Sequence, residues 1–159
     1  MKQKEPDKDI LERMAAGVLC REGFLGTDAR PLAEILNADL ETVRRLGVSH
    51  EQLAGRLAEI LLSATAAMGN PVDVARGLQG LYHEAMGRIP CPCGDGRCFP
   101  KGEVELTDPA SGRTLRLSPL SVHLIGEHGF YQGRGSRYRI EPDVLCEILK
   151  LGPPRPTGK

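Results

Sequence analysis

Three of the five cysteines, Cys91, Cys93 and Cys98, fall within eight residues, and His123 and His128 follow later in the chain. Thiolate sulfur and imidazole nitrogen are the donors that zinc takes in a tetrahedral site. They usually come as two pairs, each on a short segment, so that little conformational entropy is left to lose. Cys93 and Cys98 form one candidate pair, with Gly94 and Gly96 between them allowing the chain to curl and aim its amides at sulfur. His123 and His128 form the other, with a spacer in the range used by zinc fingers. Cys91 is then a spare thiol or a substitute for one histidine. An odd cysteine count, and the very small ring that a Cys91–Cys93 bridge would close, make a disulfide framework the weaker reading.

The number of ligands decides the chemistry. Four protein ligands close the site and make the zinc structural, whereas three leave a position for water, with Glu127 or Asp95 as general base for a zinc-dependent hydrolase. The first reading is preferred, because the segment 83–87, His-Glu-Ala-Met-Gly, ends in glycine where a zinc-hydrolase helix needs its second histidine. A nucleophile elbow, a phosphate-binding P-loop and a dinucleotide fingerprint are also missing from the sequence. The order of cysteine turn, hairpin and histidine helix resembles that of ββα zinc fingers. Here, however, the cysteines precede the hairpin, and positions 99 to 122 make a spacer about twice the usual one.

A second constellation is basic. Arg134, Arg137 and Arg139 surround Gly133 and Gly135, and Tyr131 and Tyr138 lie nearby, a combination suited to an anionic ligand, an acidic protein partner or single-stranded nucleic acid. The plain alternative is a solvated turn. Residues 32–46 fit helix-turn-helix spacing with Arg44 and Arg45 on the second helix. They serve equally well as one amphipathic helix of a bundle, and that reading is preferred because residues 1–86 hold 10 basic against 13 acidic side chains. Cys20 and Cys146 read as core thiols, and His50 and His83 as exposed helix residues.

The elements that would position these residues follow from periodicity. Apolar residues at three-and-four spacing predict a helix from 7 to near Gly23, one from Pro31 to Leu46, one opened by the Ser49–Gln52 capping box and ending near Met68, and one from 71 to 86. After Gly87, alternation at Val104, Leu106, Leu115 and Leu117 around a Pro-Ala-Ser-Gly turn predicts a hairpin. Ser118 and Pro119 open a helix that Gly129 stops, and a short strand at 138–140 and a helix from Pro142 to Leu151 follow. On a regular helix five steps leave the two imidazoles about 140° apart. The turn carrying His128 is therefore expected to unwind, aided by Gly126 and Gly129.

The fold class expected is α+β, with a helical domain over 1–86, a hairpin-and-helix zinc module over 87–151 and a disordered tail over 152–159. Hydrophobic residues at 40% and charged residues at 26% are ordinary globular values, and formal neutrality excludes a global field that would drive nonspecific attachment to nucleic acid or membrane. The charged N-terminus and the lack of a long apolar run predict a cytoplasmic protein without a membrane span. The function expected is binding or regulation.

Overall fold

The structure is a computed structural model describing residues 7–75 and 77–151. The expected tail at 152–159 lies outside the described residues. Helices α1 (Asp7–Met14), α2 (Leu32–Arg45) and α3 (His50–Ala66) are followed by strands β1 (Val72–Ala75), β2 (Leu78–His83), β3 (Arg88–Pro90), β4 (Cys98–Pro100), β5 (Glu103–Asp108) and β6 (Arg113–Leu117). Helices α4 (Pro119–His128) and α5 (Pro142–Leu149) complete the chain. The fold is α+β. No helix among the described residues is long and apolar enough to cross a membrane.

Several local expectations hold for the reasons given. Ser49 Oγ accepts the Gln52 amide at 3.0 Å and opens α3. Ser118 and Ser121 cap each other at the start of α4, Pro119 follows, and Gly129 closes the helix with a left-handed φ of 62°. Residues 32–45 form one helix, not two. The hairpin is β5–β6, with Leu106 opposite Leu115 and Val104 opposite Leu117.

The helix expected over 71–86 does not form. These residues are β1 and β2, joined through a turn with Gly77 at φ 84° and paired antiparallel, and β2 continues onto β5. Val72 and Val74 lie two apart, a strand period, and both are β-branched; reading them with Leu78 and Leu81 as a helical stripe mistook the period. Leu78 and Gly80 face inward, and a Cβ on Gly80 would stand 3.0 Å from Val74 Cγ1 and 3.1 Å from Ala64 Cβ of α3, so a larger residue there would require its neighbours to give by a few tenths of an ångström. The strand expected at 138–140 is also not formed: those residues are turn and coil. The first helix stops at Met14, well before Gly23.

The main sheet has the order β1-β2-β5-β6, so its strands come from both sides of position 86, and β3 pairs with β4 in a separate two-stranded ribbon. Two apolar clusters fill the interior. One joins Leu53, Leu57 and Ile60 of α3 to Leu78, Leu106 and Leu117 of the sheet and Leu145 and Ile148 of α5. The other joins Met14, Phe24, Leu32 and Ile35 to Ile89, Cys91 and Phe130. Helix α4 contributes to both, with Val122 and Ile125 in the first and Leu120 and Leu124 in the second. A helix that is a wall of two cores must be apolar around most of its circumference, which the run Leu-Ser-Val-His-Leu-Ile supplies. His123 lies in that run.

Candidate metal centre

The ribbon β3–β4 is the base of a loop over residues 91–97. The Cys91 amide donates to the Arg97 carbonyl at 2.9 Å, and Gly94 and Gly96, both with φ near 80°, let the chain turn back on itself. Asp95 Oδ1 accepts the Arg97 amide at 2.9 Å, an Asx turn that leaves Oδ2 free to face outward from the loop. Arg13 Nε donates to the Pro92 carbonyl at 2.7 Å and so ties the loop to α1.

Helix α4 meets this loop. His123 Nε2 lies 2.7 Å and His128 Nε2 2.9 Å from the same Asp95 Oδ2, and His128 Nε2 lies 3.7 Å from Cys91 Sγ. The two imidazoles stand edge to face with centroids 5.2 Å apart, and Phe99 packs on His123 at 4.7 Å. One ligand atom from each of Cys91, Asp95, His123 and His128 falls within 4.8 Å of every other, a group that could hold a metal ion. Bonds of about 2.0 to 2.3 Å at tetrahedral angles place zinc ligands roughly 3.3 to 3.7 Å apart. Side-chain movements on the scale of an ångström would bring these four to that spacing.

The group is strongly polarised. Burial pushes the Asp95 carboxyl up, but the Arg97 amide and the two imidazoles together hold it well below the usual carboxylate range. The Cys91 sulfur raises the His128 imidazole to about 9, with Asp95 adding to the effect against the cost of burial. Contact with the Cys93 thiol, together with burial, pushes the Cys91 thiol up to about 12. A cation entering this site has to displace protons from sulfur and imidazole, so its uptake releases them to solvent.

The structure redistributes the expected ligands. Cys91, expected as a spare thiol or as a substitute for one histidine, is 3% exposed and in the group, together with both histidines. Cys98, expected in the first pair, is exposed on β4 opposite Pro90, because strand pairing places it on the ribbon and not in the loop. Cys93 is half-buried and hydrogen-bonded to Cys91, outside the group of four. Asp95, expected only as a candidate general base, is the fourth member of the group. An oxygen donor in a Gly-Asp-Gly turn beside a cysteine is the signal that the sequence carries for it. Glu127, the other base candidate, is exposed and outside the group.

The expected unwinding of α4 does not occur. The helix is α-helical through His128 and closes with Gly129 N–H to Ile125 O and Phe130 N–H to Leu124 O. Both side chains reach one point off the helix flank, since long imidazole arms span the angle that the backbone was expected to absorb. Gly126 instead serves packing: a Cβ there would stand 2.9 Å from Ala54 Cβ on α3.

The basic segment does not assemble as an open anion cradle. Arg139 is bound to Asp39 at 2.6 and 3.0 Å and to Glu141 at 2.8 Å. Arg137 binds Glu103 at 3.0 Å, and Arg134 is held through its backbone, its amide donating to Asp28 and its carbonyl accepting from Thr27. Tyr131 is 1% exposed with its hydroxyl 2.9 Å from His50 Nδ1, so its ring offers no stacking face to solvent. The sequence showed arginines close together, but not that carboxylates from α2 and β5 would neutralise two of them. No protein-family model matches the chain, and neither a curated protein nor a solved structure matches it.

Proposed function

We propose that Cys91, Asp95, His123 and His128 bind one zinc ion in a closed structural site, and that the protein works as a zinc-stabilised recognition or regulatory module. The observation that supports this most directly is the convergence of four donors of three kinds, from one loop and one helix, within 4.8 Å of one another. Thiolate and imidazole select zinc and its borderline neighbours over magnesium or calcium, which prefer oxygen shells. Four protein donors fill a tetrahedron, so no position is left for a substrate-activating water, and the metal's role is to hold the loop 91–97 against α4.

The experiment is metal analysis of untagged protein, with cobalt substitution as the geometric readout. One equivalent of zinc per chain is expected, and the cobalt form should give the intense visible bands of a tetrahedral thiolate site. Cys91→Ser and His128→Asn should abolish stoichiometric binding, while Cys98→Ser should leave it intact. Retention of metal in both of the first two variants would overturn the ligand assignment. A cobalt spectrum that changes on adding azide would show an open position and turn the reading toward hydrolysis.

A further inference from the structure

Of the two thiols in the loop 91–97, the proposed metal uses only Cys91. Cys93 is hydrogen-bonded to it, sulfur to sulfur. A turn holds the pair in place: the Gly94 amide donates to the Cys91 carbonyl at 3.3 Å, and Pro92 sits at the second position, where its fixed φ suits a turn. Arg13 Nε anchors the middle of the same turn, donating to the Pro92 carbonyl at 2.7 Å. Cys91 belongs to the apolar cluster of Ile89 and Leu124, and Cys93 packs against it. The two differ in access, since Cys91 is 3% exposed and Cys93 is half-buried.

A reachable cysteine beside a shielded one is the arrangement of a dithiol that oxidises to a bridge, the outer sulfur meeting the oxidant and the inner one resolving it. The very small ring that such a bridge closes makes it a poor permanent staple. The same strain makes it easy to reduce again, which suits a reversible change. The other three cysteines are placed differently. Cys98 is exposed on β4 opposite Pro90, Cys146 lies in the other apolar cluster, and the Cys20 thiol donates to the Gly23 carbonyl at 3.8 Å.

We propose that Cys91 and Cys93 form a dithiol that hydrogen peroxide oxidises to a bridge, and that this bridge expels the metal; the second half rests on the zinc reading above, the first does not. The Cys93 sulfur attacks one oxygen of the peroxide, the O–O bond breaks, hydroxide leaves, and Cys93 becomes a sulfenic acid. The Cys91 sulfur then attacks the Cys93 sulfur, forming the S–S bond, breaking the S–O bond and releasing a second hydroxide. The sulfurs give up an electron pair and the peroxide takes it. Protons from the two thiols turn both hydroxides into water; in the metal-loaded protein, where Cys91 is already deprotonated, solvent supplies one of them. A thiolate binds zinc and a disulfide sulfur does not, so the ion keeps only Asp95, His123 and His128 and is released.

Peptide mapping of the full chain tests this. Trypsin cuts after Arg88 and Arg97, so the peptide 89–97 carries Cys91 and Cys93 and no other cysteine. After hydrogen peroxide and alkylation, this peptide should be unalkylated and lighter by two hydrogens than its reduced form, in chelated and zinc-loaded protein alike, and dithiothreitol should reverse the change. A zinc-indicator dye should register loss of the ion in step with the bridge. Cys93→Ser leaves the group of four in place and should bind zinc as the parent does, yet keep it through a peroxide dose that empties the parent. Cys98→Ser should lose zinc like the parent. A peptide 89–97 alkylated at both thiols, one that only gains oxygen, or a bridge to Cys98 instead would overturn the dithiol. Zinc loss from Cys93→Ser as fast as from the parent would overturn its control of the metal. Protein that forms the bridge but takes no zinc sinks the metal reading with the dithiol intact, and protein that keeps zinc and forms no bridge sinks the dithiol alone.

Discussion

At the scale of single residues, the carboxylates organise the charged interior. Glu103 is 9% exposed and accepts from Arg116 at 2.7 Å, Arg137 at 3.0 Å and Tyr138 at 2.6 Å. Burial pushes its carboxyl up, but the Tyr138 and Arg137 hydrogen bonds outweigh burial and the net shift is downward. A carboxyl depressed by folding adds stability that is present above its unfolded value near 4.5 and is lost as pH falls through the folded value. Glu103→Gln should therefore be clearly less stable than the parent at pH 7, and the gap should narrow toward pH 3. Urea midpoints at the two values measure it, and a gap independent of pH would show that the carboxylate contributes through shape and not charge. The Arg139–Glu141 pair is local in sequence, but the partners Glu103 of Arg137 and Asp39 of Arg139 are set by tertiary contacts.

At the scale of elements, α4 is the piece on which the molecule turns. Its N-terminal capping box and its Gly129 stop were legible because they are local: the hydroxyl, the proline and the glycine act within one turn of themselves. Its contact with α3 was not. A methyl at Gly126 would crowd Ala54, so Gly126→Ala should lower stability despite a helix-propensity gain of up to about 1 kcal/mol, overpacking of this kind costing about 1 to 3 kcal/mol. Ala54→Gly should relieve the crowding. The double variant should then lose less than the sum of the single losses, and thermal unfolding of the four proteins measures that coupling; strict additivity would place the glycine's role elsewhere. At 71–86 the deciding signal is local: the valines two apart have a strand period, and β1 forms there in place of the expected helix.

For the whole molecule, the proposed metal adds a polar link between the loop 91–97 and α4, which already share one apolar cluster through Cys91, Leu120 and Leu124. The loop 91–97 is pinned by Arg13 at one edge, and the donors of α4 close it from the other. Zinc binding to the folded state alone stabilises it by an amount that grows with the ratio of free metal to dissociation constant, about 4 kcal/mol at a thousandfold excess. Chelation should accordingly lower the midpoint of thermal unfolding, and adding back zinc should restore it. Limited proteolysis of the chelated protein should begin within 91–97. An unchanged midpoint would mean that the cysteine loop is held by its backbone bonds and Arg13 without the ion.

The sequence by itself determined what depends on near neighbours: the α+β class, the caps of α3 and α4, the β5–β6 hairpin, and the presence of sulfur and imidazole donors close enough along the chain to share a cation. Tertiary structure decided which of them meet. Cys91 and Cys98 have the same chemistry and are seven positions apart, yet strand pairing exposes one while the turn of the loop buries the other against His128. Asp95 joined the site because an Asx turn aimed its second oxygen at α4. Spacing along a chain limits which side chains can meet, but the direction in which each one points is set by the backbone around it and by the packing of elements distant in sequence.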